Sequence, residues 1–368
     1  MLKRLLILLV TGLVALGVFS SCKIRFQSAE NGQVVSGKTW HWRLVTTWPP
    51  HFPIMGEGLD EFARQVAAMS GGRMTIQVFG AGELVPALEI FDAVSLGTAE
   101  MGHGASYYWA GKVPAAQFFC TVPFGMNAQQ MNTWLTEGGG LKLWTDLYAR
   151  YHLVPFPAGN TGVQMGGWFN KPIRTVNDLK GLKIRMPGLG GKVISGLGAT
   201  AVLVPGSELY TNLERGVIDA AEWIGPYHDY LMGFHRIARY YYYPGWHEPG
   251  PTLELMINKT AWDGLPPDLQ AIIRSAAANL NDYMLTRFEA RNRDYLEKIR
   301  QEGSVEILPF PEDVMTALRL QTKLVLENLV KTDPEAAKVY ESYRSFQEKS
   351  VSWSEMSEIP YYLQIGRQ

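Results

Sequence analysis

Cysteine is nearly absent from this chain of 368 residues: Cys22 and Cys120 are the two it has. That excludes a disulfide scaffold and any cysteine-rich metal centre. Excess charge of one sign is absent as well, since 34 Lys and Arg oppose 35 Asp and Glu for a formal net charge of −1. With no basic run either, the sequence argues against nucleic acid as the main partner, because that affinity rests on clustered cations. It leaves room for a local charged pocket. Beyond the N-terminal segment no apolar run approaches the roughly 20 residues a membrane-spanning helix needs. The signatures His-Glu-x-x-His, Gly-x-Ser-x-Gly and Gly-x-x-x-x-Gly-Lys-[Ser/Thr] are missing. Gly188-Leu189-Gly190-Gly191-Lys192 fails as a nucleotide loop, because Val193 stands where the third glycine belongs; it reads as a turn into a helix carrying Ile194 and Leu197.

What is present is globular: 46% hydrophobic and 19% charged residues, with a length that suggests about two domains. Lys3 and Arg4 precede an apolar run from Leu5 to about Phe19 that ends at Ser20-Ser21-Cys22. This is the pattern of a secretory signal. Cys22 after two serines resembles a bacterial lipobox, in which the cysteine is lipidated, with Phe19 where that pattern more often has Leu; a plainly cleaved signal and an uncleaved anchor are the alternatives. All three place the folded part outside the cytoplasmic membrane. Residues 23–39 read as a tether. Cys120, left without a partner, is expected to be a buried small hydrophobe.

From Trp40 onward, short apolar runs alternate with helix-period runs. Strands are expected at Trp42–Thr46, at Met74, Ile76 and Val78, at Glu100–Gly102, at Leu153–Phe156, at Val163–Phe169 and at Leu182–Met186. Between them lie helices marked by Leu59, Phe62, Val66 and Met69, by Leu88, Phe91 and Val94, and by Leu209, Leu213 and Val217. The alternation predicts an α/β protein with mainly parallel sheets. Tyr240–Tyr243 is expected as a strand whose tyrosines alternate between core and surface. From Pro267, apolar residues keep helical spacing through Leu280, Met284, Phe288 and Ile299 as far as Gly303, and a further helix follows Pro311. So long an apolar stripe has to be buried, either across both domains or in a dimer.

Ligands of open α/β sheets bind beyond the carboxyl ends of the strands. Tyr108, Asn160, Gln164, Arg185, Glu222-Trp223 and Glu248 all follow or close predicted strands. The Arg185 guanidinium matches a carboxylate in two parallel hydrogen bonds; a structural ion pair is the other reading of the same residue. Glu222 and Glu248 read either as solvated or Arg-paired acids or, with the Gln164 amide, as a hard-oxygen set suited to Ca²⁺ or Na⁺ and unsuited to zinc.

Several segments resemble the DctP-type solute-binding proteins of tripartite ATP-independent periplasmic (TRAP) transporters. They are Gly71-Gly72-Arg73-Met74, Ala81-Gly82-Glu83-Leu84, Asn177 to Pro187 with Leu182-Lys183-Ile184-Arg185-Met186, and Leu213 to Glu222. Gln164-Met165-Gly166-Gly167-Trp168, Glu222-Trp223 and Trp246-His247-Glu248-Pro249-Gly250 resemble the branch that binds 2-oxo or 2-hydroxy monocarboxylates such as pyruvate or lactate. The resemblance implies a two-lobed periplasmic-binding-protein-like fold with a ligand cleft between the lobes and long C-terminal helices. Domain I would take residues 40–162 and 251–308, and domain II residues 163–250 and 309–368.

The resemblance further implies that Arg185 takes the substrate carboxylate, with Asn160 and Tyr108 as further contacts. Gln164, Glu222, the Trp223 backbone oxygen and Glu248 would hold Na⁺ or Ca²⁺. Gln164 and Trp223 would also face the substrate. It implies no catalysis, delivery to TRAP membrane permease subunits, and a homodimer through a long C-terminal helix. Two glutamates and one ligand carboxylate against one arginine leave −2, which is costly to bury without a cation. The alternative is a secreted Ca²⁺-dependent hydrolase or lyase using Glu222 and Glu248.

Overall fold

A computed structural model describes residues 37–365. The signal, Cys22 and nearly all of the tether lie outside the described residues. Among the described residues, no helix is long and apolar enough to cross a membrane.

Two sheets organise the chain. Strands β1 (Trp40–Thr46), β2 (Met74–Phe79), β3 (Met101–Gly104) and β4 (Leu153–Asn160) belong to the first sheet. The chain then crosses to the second sheet for β5 (Gly167–Phe169), β6 (Lys183–Arg185), β7 (Thr200–Val202), β8 (Ala220–Ala221) and β9 (Tyr240–Tyr243). It returns for β10 (Thr252–Asn258) and crosses once more for β11 (Glu306–Pro309). The orders are β2-β1-β3-β10-β4 and β11-β9-β5-β8-β6-β7.

The sheets are mixed, which corrects the expectation of mainly parallel pairing. β10 is antiparallel to β3 and β4, and β5 is antiparallel to β8 and β9. The cause is topological. β5 and β10 are the strands entered directly from the other sheet, so they start where their neighbours end and run the opposite way. The carboxyl ends of β3, β4, β6, β8 and β9 therefore meet the crossing segments 161–166 and 244–251, and that is where the polar residues gather. The two crossings are hydrogen-bonded to each other, Gln164 N to Glu248 O at 3.2 Å and Gly245 N to Gln164 O at 2.9 Å. A Cβ at position 245 would fall 2.2 Å from the Gln164 oxygen, so only glycine admits this approach.

Helix Met55–Met69 buries Leu59, Phe62 and Val66 but leaves Met69 exposed. Helix Leu209–Glu214 ends before Val217, which is exposed, contrary to the expected spacing. The expected strand Val163–Phe169 shrinks to three residues because 163–166 are used in the crossing. Tyr241 and Tyr242 are both buried instead of alternating, since each face of β9 is covered. The Tyr241 hydroxyl donates to Asp229 at 2.7 Å, and the Tyr242 hydroxyl accepts from Ile173 N at 2.8 Å.

The long helix runs from Pro267 to Glu302 and ends at Gly303, whose φ of 65° is the left-handed conformation that glycine adopts freely. Its apolar face packs on β4 and on helix Met55–Met69 of the first lobe and on helix Pro226–Leu231 of the second. Of the two sequence readings, packing across both lobes accounts for the stripe. β11 pairs with β9, which places residues 306–308 with the second sheet and not with the first. Helix Glu312–Thr332 lies on helix Gly188–Gly196 of the second lobe. Helix Pro334–Ser354 folds back along Glu312–Thr332 and also packs on first-lobe helices, with Tyr343 accepting from Met126 N at 2.7 Å. The C-terminal helices are thus shared between the lobes. Cys120 is a fully buried free thiol.

Candidate ligand and cation site

Strand β6 places Arg185 at its last position, beside β8, whose next residue is Glu222. The Glu222 N–H donates to the Arg185 carbonyl at 3.1 Å, so the backbones fix the two side chains side by side. Arg185 is 1% exposed and Glu222 fully buried. Arg185 Nη1 donates to the Glu222 carboxylate and, at 3.1 Å, to the Glu222 carbonyl. Nη2 donates to the Tyr108 hydroxyl at 3.2 Å, from the turn Ser106–Trp109 that follows β3. Arg185 Nε has no partner. Burial pushes the guanidinium pKa down, but Glu222 together with Tyr108, Tyr107 and Glu248 more than reverses this and keeps it charged. The Trp223 ring lies 5.2 Å from the guanidinium carbon.

Arg185 is thus an ion-pair partner that still has a donor to spare. The crossing segments complete the site. Gln164 Nε2 donates to Thr161 Oγ1 at 3.1 Å, which leaves its oxygen Oε1 buried without a partner; Glu248 Oε2 is in the same condition. Burial raises the Glu248 pKa well above the usual carboxylate range, and repulsion from Glu222 adds to it. Tyr108 is pushed up to about 12, by burial first, so it stays a neutral hydroxyl. A tight cavity of about 10 Å³ is lined by Trp48, Tyr108, Gln164, Arg185, Trp223 and Glu248, among others. That is roughly what one water requires.

Five predicted residues, Tyr108, Gln164, Arg185, Trp223 and Glu248, thus line one cavity, with Glu222 immediately behind Arg185. Asn160 does not join them. It is fully buried, but Nδ2 donates to Gly250 O at 3.1 Å and Oδ1 accepts from Gly162 N at 2.9 Å. Its polar atoms hold the two crossings together. His247 was not singled out by the sequence. Its Nε2 lies 3.0 Å from Glu222 Oε2, and Glu222, His247 and Glu248 each place a ligand-type atom within 4.8 Å of the others. The one signal for it was its place beside Glu248 in a Pro- and Gly-rich crossing.

The unpartnered Gln164 and Glu248 oxygens beside Glu222 fit an oxygen-seeking cation. The spare Arg185 donor fits an anion. Groups of these two kinds in one cavity between two lobes suit a receptor for a small solute. The chain belongs to the DctP family, bacterial extracellular solute-binding protein family 7, whose model matches residues 44–333.

Among its relatives is a monocarboxylate 2-oxoacid-binding periplasmic protein of Nostoc sp., 44% identical over 87% of each chain. A TRAP periplasmic solute-binding protein from Pseudoalteromonas atlantica T6c, solved with bound sodium and pyruvate, is 45% identical. It superimposes with a TM-score of 0.86, covering 88% of this chain and 99% of its own. One from Colwellia psychrerythraea, with bound calcium and pyruvate, is 42% identical with a TM-score of 0.86 and covers 89% and 100%.

Proposed function

We propose that this protein is the substrate-binding subunit of a TRAP transporter that captures a small 2-oxo or 2-hydroxy monocarboxylate, such as pyruvate or lactate, with Na⁺ or Ca²⁺. The observation that carries the reading is one buried cavity holding a charged arginine with an unused donor and two unpartnered oxygens, on Gln164 and Glu248. Arg185 takes the ligand carboxylate through its fork. Gln164, Glu222, Glu248 and the Trp223 backbone oxygen hold the cation, which balances the buried negative charge and polarises the 2-oxygen of the ligand. The Tyr108 hydroxyl, kept neutral by burial, orients Arg185 from the opposite lobe.

Residues 40–162 and 251–305 form one lobe, and residues 163–250 and 306–332 the other, with 334–354 strapped back onto the first. Ligand binding drives closure to the extent that it prefers the closed form. The closed receptor then docks on the membrane permease. A signal ending at Cys22, lipidated there, holds the protein at the outer face of the membrane. The homodimer is formed through the last helices, where Trp353, Met356, Ile359, Tyr361, Tyr362 and Leu363 are exposed, and not through the long helix, whose stripe is already covered. The alternative hydrolase or lyase finds no support in the family, which is one of solute-binding proteins.

Calorimetric titration of pyruvate and then lactate into the soluble domain tests the reading, first with chelator and without sodium, then with each cation restored. Binding that needs the cation is the expected result. Binding indifferent to cations would remove the metal site, and no heat from either acid would remove the receptor reading.

A further inference from the structure

Both carboxylate oxygens of Glu222 are engaged, but by partners of different kinds. Oε1 meets Arg185, the group that an arriving ligand carboxylate competes for. Oε2 meets His247 Nε2 at 3.0 Å, in a contact that is 1% exposed on one side and fully buried on the other. Opposite an ionised carboxylate, Nε2 has to carry the proton and donate.

We propose that His247 is a positioning residue that keeps Glu222 Oε2, leaves one Glu222 oxygen for the cation, and thereby sets the preference between Na⁺ and Ca²⁺. The inference rests on the cation-dependent reading of the site given above.

Three observations support it. His247 Nδ1 has no partner, so nothing competes with Glu222 for the ring. The ring cannot swing away easily. Its Cβ sits over Gly190, where an added Cβ would come within 2.9 Å, and Trp246 packs edge-on at 5.5 Å. On the other side the Glu222 carboxylate is held at both oxygens, Oε1 by Arg185 Nη1 and Oε2 by His247, so without ligand it cannot turn from the imidazole and keep both contacts. A ligand carboxylate that, beyond the spare Nε, also draws on Arg185 Nη1 releases Oε1 and leaves Oε2 with His247. Ca²⁺ gathers six to eight oxygens and often takes a carboxylate through both. A Glu222 restricted to one oxygen withholds a ligand that Ca²⁺ would use, and costs Na⁺, which needs fewer, much less. Partners that orient a metal ligand from behind typically change metal affinity by about 10–100-fold.

The test compares His247→Leu, which keeps apolar bulk but removes the donor, with His247→Gln, whose amide N–H reaches the same place. Na⁺ and Ca²⁺ are titrated separately into each folded protein, with pyruvate present and absent, by calorimetry and tryptophan fluorescence. The expected result is a ratio of Ca²⁺ to Na⁺ affinity about tenfold higher in His247→Leu, and a wild-type ratio in His247→Gln. An unchanged ratio in His247→Leu overturns the proposal. Should His247→Leu fail to fold, His247→Asn, whose shorter amide falls short of Oε2, takes its place: a ratio raised over that of His247→Gln supports the proposal and an equal ratio overturns it. Wild-type protein that binds neither ion would instead refute the cation-dependent reading itself, an outcome distinct from the loss of selectivity alone.

Discussion

Removing Arg185 should damage the fold and the site together, and by separable amounts. Arg185 and Glu222 are a buried pair, 1% and 0% exposed at the side chain. Arg185→Gln leaves the Glu222 carboxylate buried against His247 and the Tyr108 hydroxyl with no cation to answer it. Breaking a buried pair from one side costs about 3–5 kcal/mol. At about 2.1 cal/mol/K of unfolding entropy per residue, that lowers the melting temperature of a chain this long by roughly 4–7 °C. Restoring balance with Glu222→Gln should recover most of the loss, because two neutral amides leave no uncompensated charge. Binding behaves differently. Losing a buried charge-assisted anchor costs about 2–5 kcal/mol, or roughly 30- to 4,000-fold in affinity, and the double variant should not regain it. Thermal unfolding by circular dichroism in chelated, sodium-free buffer and calorimetric titration of pyruvate separate the two effects. An Arg185→Gln protein with wild-type melting and wild-type affinity would refute both halves. A double variant less stable than Arg185→Gln would refute the ion-pair argument alone.

Glu254, fully buried in β10 and accepting from Trp109 Nε1, has its pKa raised to about 8, by burial first. Since its folded pKa lies above the unfolded value, its contribution is fully present below about pH 4.5 and is lost as pH rises through about 8. Glu254→Gln should therefore gain stability over the wild type between pH 5 and pH 8, by up to about 1.4 kcal/mol per pH unit, read from denaturant unfolding; a constant difference across that window would sink the argument. His228 of the second lobe lies with Nε2 2.7 Å from the Pro53 carbonyl of the first, and the Phe52 ring lies tilted against it with centroids 4.5 Å apart. His228→Leu removes one net hydrogen bond of closure, about 1 kcal/mol, so the ligand off-rate by stopped-flow fluorescence should rise about fivefold. An unchanged off-rate would show that closure does not depend on that contact. Truncation after Ser354 removes six exposed apolar residues, Met356, Ile359, Tyr361, Tyr362, Leu363 and Ile365. It should convert the dimer to a monomer in light scattering after gel filtration, and a persistent dimer would place the interface elsewhere.

Much of the architecture was readable in the chain because its signals are local. The helix from Pro267 to Gly303 was legible at both ends, since a proline starts it and a left-handed glycine stops it. Arg185, Glu222, Gln164, Tyr108 and Glu248 were legible because each stands at or just beyond the end of a strand, where open α/β sheets leave their clefts. Asn160 satisfies the same rule but is not among the residues that line the cavity. Its amide is consumed by Gly250 and Gly162, contacts that no spacing along the sequence reports.

The strand-and-helix alternation determined the α/β class, and the end-of-strand polar residues marked most of the side chains that gather in the cavity. They do so because propensity, capping and periodicity act within a few residues. Only the tertiary structure decided that β10 and β5 run antiparallel, that β11 joins the second sheet, and that the long helix is spent bridging the lobes. It alone turned Arg185 toward Glu222 and brought His247, 25 residues further along the chain, to the same carboxylate. These depend on where the chain crosses between sheets, and a crossing sets the distance between residues that sequence separation leaves free.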